Sequence, residues 1–496
     1  MKAASKRVLA VIAAMPMMLA VGIPVAHAGY PVKCDKQSVL VVEYNQMTED
    51  FVATSYTTIQ EAIDAADGDV TGSSVGDTVI VCPGTYAENI SVPQMDSNDN
   101  TNLSIRSWNG PHEVTIVGDL GTADAVVDID ANGVNFGGAG LGFTIEAAGT
   151  PDSDFEAVVQ VGTPMPVDLD QDDDQEITEC DAVSGECPDE ELAPLTPINV
   201  TVAGNEITGE LVGVENGTLV GLAVNNSNNT LAFRNLIKDL EVTGQSLAYG
   251  IRYGDTNSNI DVLQNAVKEL RQSGGDCTGS TLSQPTVGAV GIAAEDEALD
   301  ATIFNNLVEK VETSCTAVGA YSNAWGGLEN DRNGQQIPIV TDVTNNRIKK
   351  VESDLTFDPA APQSAAVVLA PDPDAVTAYD GNPYDEDDPR PPSSFRVSTN
   401  DLDETGVGVA VFGQLATYTY VEQNNFDHDE VGVFNTGNEN LDATNNWWGC
   451  DEGPYPADGD NSCATIGGAG TTYATPWLKH HVDHAGAHAG DHAGHK

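Results

Sequence analysis

Six of the chain's nine histidines stand close together near its end: His480, His481, His484, His488, His492 and His495. Neutral imidazoles at this density bind zinc, copper or nickel, and Asp483 and Asp491 offer oxygen ligands or hydrogen-bond partners to them. Gly486, Gly490 and Gly494 disfavour a helix, so residues 479–496 read as a flexible polar tail, with or without a poorly selected transition metal.

The stretch from Asp168 to Asp181 suits a harder ion. With Asp170 at position 1 of a calcium loop, Asp172 falls at 3, Asp174 at 5, the Glu176 carbonyl at 7 and Asp181 at 12, the oxygen-ligand spacing of an EF-hand loop. Gln175 stands where glycine is expected, Asp181 is shorter than the usual glutamate, and no flanking helices are visible. The competing reading is a solvated acidic loop tied by Cys180 and Cys187.

Catalysis on polysaccharide needs either a strong base beside a neutralised uronate or two carboxylates facing one cleft. Arg252 and Asp255, Lys268 and Arg271, and Arg347, Lys349 and Lys350 are the candidates. Lys238, Lys268, Lys310 and Lys349 recur three or four residues after a repeated asparagine, which favours a ladder of turn lysines paired with acids. The cluster Asp427-His428-Asp429-Glu430 reads as a solvated corner at the same turn. Tyr249, Tyr253, Tyr321, Trp325, Tyr418 and Tyr420 offer either a sugar-stacking face or partly buried turn residues.

The elements that position these residues repeat. Eight β-prone runs close on Asn205, Asn235, Asn265, Asn306, Asn346, Asn400, Asn425 and Asn446, at intervals of 30, 30, 41, 40, 54, 25 and 21 residues. A unit of about 20 to 30 residues with insertions implies stacked coils, each burying its apolar side only against the next. Asparagine tolerates left-handed backbone, and its amide can bond the equivalent amide one coil away, so these residues are read as structural. Small residues recur likewise at Gly250, Gly291, Gly319, Gly408 and Gly432. Insertions at about 163–197, 272–287, 326–338 and 355–394 are expected to loop out, and such loops commonly carry function.

Residues 1–28 carry Lys2, Lys6 and Arg7, an apolar run and the small-x-small end Ala26-His27-Ala28, which read as a secretory signal peptide. No later run is long and apolar enough to span a membrane. The mature protein is therefore expected to be secreted or held at the cell surface, or periplasmic if retained. With 76 acidic against 20 basic side chains, the formal charge of −56 excludes nucleic acid as a partner and suits salty water or cation collection. In an exported chain the eight cysteines read as disulfides, locally paired as Cys34 with Cys82, Cys180 with Cys187, Cys277 with Cys315 and Cys450 with Cys463.

In residues 58–66, Thr58 and Glu61 make a capping box, and Ile59, Ala62, Ile63 and Ala66 line one face of a short helix that ends at Gly68. That segment and GDTVIVCPGTYAENISV after it resemble the opening of pectin-lyase-like right-handed parallel β-helix proteins, pectinesterases included. Asn445-Asn-Trp-Trp-Gly449 with Pro476-Trp477 resembles the closing segment of bacterial repeat-type β-helices. The resemblance implies an all-β fold, a single-stranded right-handed parallel β-helix. Its parts would be a cap and first coils at 29–130, repeats with acidic loops at 131–448, a C-terminal cap at 449–478, and the tail. The later active-site motifs of pectinesterases, QDT and DFIFG, are missing, so the resemblance does not extend to esterase activity. The function expected is an exported, non-catalytic surface or matrix protein binding polysaccharide, divalent cations or both. The alternatives are a polysaccharide lyase or glycosidase working in the groove, and metal scavenging by the tail.

Overall fold

From Gly204 onward each coil of the column turns on two adjacent residues, the first in left-handed backbone and the second a buried asparagine. The left-handed positions are Gly204, Arg234, Gln264, Asn305, Asn345, Thr399, Gln423 and Asn445, with φ of 56–69°. The asparagines that follow are Asn205, Asn235, Asn265, Asn306, Asn346, Asn400, Asn424 and Asn446, none more than 1% exposed. Each Oδ1 from Asn235 onward accepts the backbone N–H and the Nδ2 of the asparagine one coil earlier, at 2.8–3.2 Å. Each Nδ2 also donates to a carbonyl of that earlier coil at 2.7–2.9 Å. The ladder thus satisfies amides that burial would otherwise make costly.

Two expectations are corrected. The ladder asparagines do not themselves take the left-handed conformation, which falls to the residue before each. The seventh member is Asn424 and not Asn425, because entry into the ladder belongs to the residue after the left-handed one, here Gln423.

The computed structural model describes residues 34, 37–45, 50–66, 77–93, 103–148, 155–162, 197–211, 217–254, 258–295, 299–323, 328–330, 336–338, 340–370, 394–413, 419–437, 440–454 and 463–486. Successive coils contribute strands in rotation to three sheets of 14, 10 and 11 strands, called here sheets 1, 2 and 3. Apart from an antiparallel start, their neighbours pair in parallel, the arrangement of a parallel β-helix. Inward columns one residue wide fill it. In sheet 1 these are Val202, Ala232, Val262, Ile303, Val343, Val397 and Val421. In sheet 2 they are Ile207, Ile237, Val267, Val308, Ile348, Leu402 and Phe426.

The recurrent glycines lie in sheet 3, where it meets the sheet 2 column. A Cβ on Gly250 would sit 2.5 Å from Val267 Cγ1, and one on Gly319 2.3 Å from Ile348 Cγ2. The small residue is therefore set by the branched side chain that fills the corner. Sheet 3 is apolar on its outer face too. Val220, Tyr249, Val290, Val318, Ala365, Val407 and Val431 form a second buried cluster, against which Leu282 and Phe357 from the insertions pack. Doubly buried strands account for the continuous apolar runs GAVGIAA, SAAVVL and VGVAV.

Both ends are covered. The helix Ile59–Ala65 buries Ile59, Ala62 and Ile63 over the first coil. Thr58 accepts the Glu61 N–H, as the capping box requires, and the Glu88 carboxylate adds acceptors for Ile59 N and Gln60 N at 2.9 and 3.0 Å. The strand Val39–Asn45 pairs antiparallel with Asp50–Tyr56 and with Thr78–Val81, an edge cover that the sequence reading does not contain. At the far end Trp448 is fully buried against Phe426, ring centroids 5.0 Å apart. Disulfides join Cys34 to Cys82, Cys277 to Cys315 and Cys450 to Cys463, as expected. Cys180 and Cys187, like residues 1–28, lie outside the described residues. Among the described residues no helix is long and apolar enough to cross a membrane.

Candidate functional site

The residue after each ladder asparagine up to Asn424 begins a strand of sheet 2 and faces outward, as does the residue two further on. The first of these columns holds Leu236, Ala266, Leu307, Arg347, Asp401 and Asn425, and the second Lys238, Lys268, Glu309, Lys349, Asp403 and Asp427. Four of the basic residues considered above are tied across coils on this face. Lys238 pairs with Glu206 at 2.8 Å, Lys349 with Glu309 at 2.8 Å, Arg271 with Glu312 at 3.2 Å and Arg347 with Asp401 at 2.9 Å. The expected pairing with acids holds at Lys238 and Lys349, and at Lys310 with Glu269 at 3.5 Å, but Lys310 leaves their line: it occupies a left-handed kink, φ 68°, in line with Asp239, Glu269 and Lys350. Arg252 faces outward from sheet 3, where Glu295 accepts its Nε at 2.7 Å and the Tyr249 hydroxyl at 2.9 Å. Asp255 lies outside the described residues.

Carboxylates converge at the C-terminal end of this face. Asp401, Asp403 and Asp427 occupy adjacent coils, and the segment 480–486 lies across them. His481 Nε2 stands 2.8 Å from Asp427 Oδ2 and 3.6 Å from Asp401 Oδ1. Asn425 Oδ1 accepts the Val482 N–H at 2.8 Å, and its Nδ2 is 3.1 Å from His481 Nδ1. Gly486 N donates to the Thr399 carbonyl, and Ala485 is buried. The first part of the tail is thus packed on the column.

The hydrogen bonds fix what this cluster does. Because Asn425 turns its oxygen to Val482, its amide N–H faces His481 Nδ1, which must accept. The imidazole proton then sits on Nε2 and is donated to Asp427. A metal at Nε2 would displace that proton onto Nδ1, where Asn425 already presents a donor. The donor set is therefore a histidine–carboxylate clasp and fits a metal poorly. The other close group, Cys450, Glu452 and Cys463, has its two sulfurs in a disulfide.

Around the clasp, Trp447 Nε1 donates to Asp427 Oδ1 at 3.0 Å, and His428 Nδ1 lies 2.8 Å from Asp403 Oδ1. The hydrogen bond to Asp403 holds the exposed His428 imidazole above its ordinary pKa. Asp429 is buried, accepts the Thr405 N–H at 3.0 Å, and is pushed well above the carboxylate range by desolvation, with Asp403 and Asp427 adding to it. It is a buried structural group, not part of a solvated corner.

Of the sequence candidates, His480 and His484 are exposed on the docked segment. His488, His492 and His495 lie outside the described residues, as do Asp170, Asp172, Asp174, Glu176 and Asp181. Tyr249, Tyr253 and Tyr321 are buried, so they form no sugar-stacking face, whereas Tyr420 is exposed. Trp325 and Tyr418 lie outside the described residues. A shallow depression of about 320 Å³ between Thr218, Gln245, Asp276 and Thr286 brings no second titratable group beside Asp276. The residues the sequence reading missed are Asp401, Asn425 and Asp427 as partners of the tail, since only the coil register brings them to His481.

No protein-family model and no curated protein matches this chain. Among solved structures, the catalytic unit of a thermostable GH87 alpha-1,3-glucanase from Streptomyces thermodiastaticus strain HF3-3 is similar at 12% identity and a TM-score of 0.26. The match spans 86% of this chain and 65% of that one, less than two thirds of its length. The class defined by the fold is a parallel β-helix, on the evidence of the sheets themselves.

Proposed function

We propose that the protein is an exported, non-catalytic β-helix of the pectin-lyase-like type that binds polysaccharide at the cell surface or in extracellular matrix. The observation that carries the non-catalytic reading is the clasp. Where carboxylates converge among the described residues, Arg347 neutralises Asp401 and His481 takes the space between Asp401 and Asp427. The two acids lie diagonally on neighbouring strands of sheet 2 with the imidazole between them, so the docked tail occupies the place where a glycosidic bond would have to lie between two carboxylates. Export is supported by the leader-like start and by three disulfides, which form in oxidising compartments. The pectin-lyase-like assignment is supported by the helix that covers the first coil.

The test is retention of the full chain on columns of neutral and uronic polysaccharides, with and without calcium, while reducing and unsaturated ends are assayed in the eluate. Retention without new ends is expected, and absence of any retention would overturn the reading. Calcium at Asp170, Asp172, Asp174, Glu176 and Asp181 is a separate proposal. It requires a calcium-dependent rise in Tm that is lost when Asp170, Asp172 and Asp174 become asparagine. Zinc or copper at the tail would rest on His480, His481, His484, His488, His492 and His495, with His481 leaving the clasp to take part. Unchanged uptake after removal of residues 479–496 would end that proposal.

A further inference from the structure

The outward column of sheet 1 ends differently from the rest of that face. In register from coil to coil it reads Asp342, Arg396, Tyr420, Asp442 and Tyr473. Tyr420 and Tyr473 are 38% and 53% exposed, two of the few large apolar side chains that the folded column leaves open. Two sheet spacings separate them, about 9.6 Å, the length of a disaccharide in an extended pyranose chain. The Tyr473 ring is held by its hydroxyl, which donates to Asn440 Oδ1 at 2.9 Å. Between the two rings Asp442 accepts the Thr444 N–H at 3.0 Å through Oδ1, and a carboxylate retains further acceptor capacity beyond one such bond. Arg396, on the far side of Tyr420, is tied to Asp342 at 2.5 Å and brings no free positive charge to the column.

We propose that Tyr420, Asp442 and Tyr473 form a subsite for a neutral, extended, β-linked polysaccharide running along the column axis. Alternate sugar rings lie with their C–H faces on the two tyrosines, where an aromatic surface provides dispersion and apolar burial. The hydroxyls of the intervening sugar donate to Asp442. Uronate chains are turned away, because Asp442 faces the ligand path and the whole chain carries a formal charge of −56. This inference rests on the polysaccharide-binding reading above and gives it a place and a ligand class.

The test is affinity electrophoresis of the full chain in gels containing hydroxyethylcellulose or polygalacturonate, in matched salt. The wild type is expected to be retarded by the neutral polymer and not by the uronate. Tyr420→Ala and Tyr473→Ala should each weaken binding about three- to ten-fold, and the double variant more than ten-fold. Tyr420→Phe should bind nearly as the wild type does, Tyr473→Phe should fall between wild type and Tyr473→Ala because it keeps the ring but loses the bond to Asn440, and Leu355→Ala, at an exposed position elsewhere, should change nothing. Both tyrosines are at the surface, and circular dichroism verifies that the variants fold. If the wild type and the double alanine variant bind hydroxyethylcellulose equally, this subsite is refuted while polysaccharide binding stands. Preference for polygalacturonate would refute its neutral character. If the wild type binds no polysaccharide on any column, the broader reading falls as well.

Discussion

Replacing Asn306 by alanine should loosen the middle of the column. Its side chain makes four buried hydrogen bonds. Oδ1 accepts Asn265 N at 2.8 Å and Asn265 Nδ2 at 3.1 Å, while Nδ2 donates to the Val262 carbonyl at 2.8 Å and to Asn346 Oδ1 at 3.1 Å. At about 0.5–1.5 kcal/mol net for each bond, the loss is about 2–6 kcal/mol, and the stranded Asn265 N–H places it in the upper half. Asn346 Oδ1 keeps the backbone N–H of residue 306, so the damage should centre on the coils of Asn265 and Asn306. Coils of a solenoid open by nearest-neighbour steps, and a global melt need not be two-state. The assay is therefore amide hydrogen exchange, with the Asn265 N–H as reporter. Asn345→Gly, one residue earlier and in left-handed backbone at φ 56°, is the control and should cost less than about 1 kcal/mol. A loss below about 1 kcal/mol for Asn306→Ala, or one no larger than the control's, would refute the ladder reasoning.

Three further outcomes follow from named contacts. Burial, with Asp130 nearby, pushes the Asp128 carboxyl up to about 7, against a usual value near 3.9, so between those values the folded state holds a proton that the unfolded chain has released. Asp128 should then make stability fall as pH rises from about 4 to 7, by up to about 4 kcal/mol, and Asp128→Asn should remove that contribution and make the slope shallower when urea unfolding is followed against pH. Asp403→Asn should lower the His428 titration midpoint toward its ordinary value, read by NMR, since the Asp403 hydrogen bond holds it up; an unmoved midpoint would remove that cause. Gly319→Ala should destabilise by about 1–3 kcal/mol in chemical denaturation, because the new methyl meets Ile348 and the Ala366 carbonyl, and a neutral result would mean that the corner can yield.

The column itself was legible because its cause is periodic: a buried asparagine, a small corner residue and an inward aliphatic recur in every coil from Asn205 onward. Where two asparagines adjoin, as at Asn424 and Asn425, spacing alone cannot say which enters the ladder. The left-handed backbone at Gln423 decides it, leaving Asn425 outside to hold Val482. Sheet 3 was legible in its apolar runs but not in its second buried face, since that depends on Leu282 and Phe357 returning from insertions. The clasp could not be read at all. His481 is 54 residues from Asp427 in sequence, and only the register of sheet 2, which stacks Asp401 on Asn425 and Asp403 on Asp427, brings Asp401 and Asp427 to neighbouring places on one face. The aromatic pair was half read: Tyr420 was among the candidates, but Tyr473 sits in a two-residue strand with no repeat signal.

The most direct measurement of the whole account is the release of sugar ends by the full chain and by a chain lacking residues 479–496, each incubated with a panel of neutral and uronic polysaccharides. Removing the tail uncovers Asp401 and Asp427, so any hydrolytic capacity of that face would then be expressed. Binding to neutral polymer with no new reducing or unsaturated ends from either form is expected. Ends released by the full chain would contradict the non-catalytic reading outright, and ends released only after truncation would make the clasp the cover of an active site.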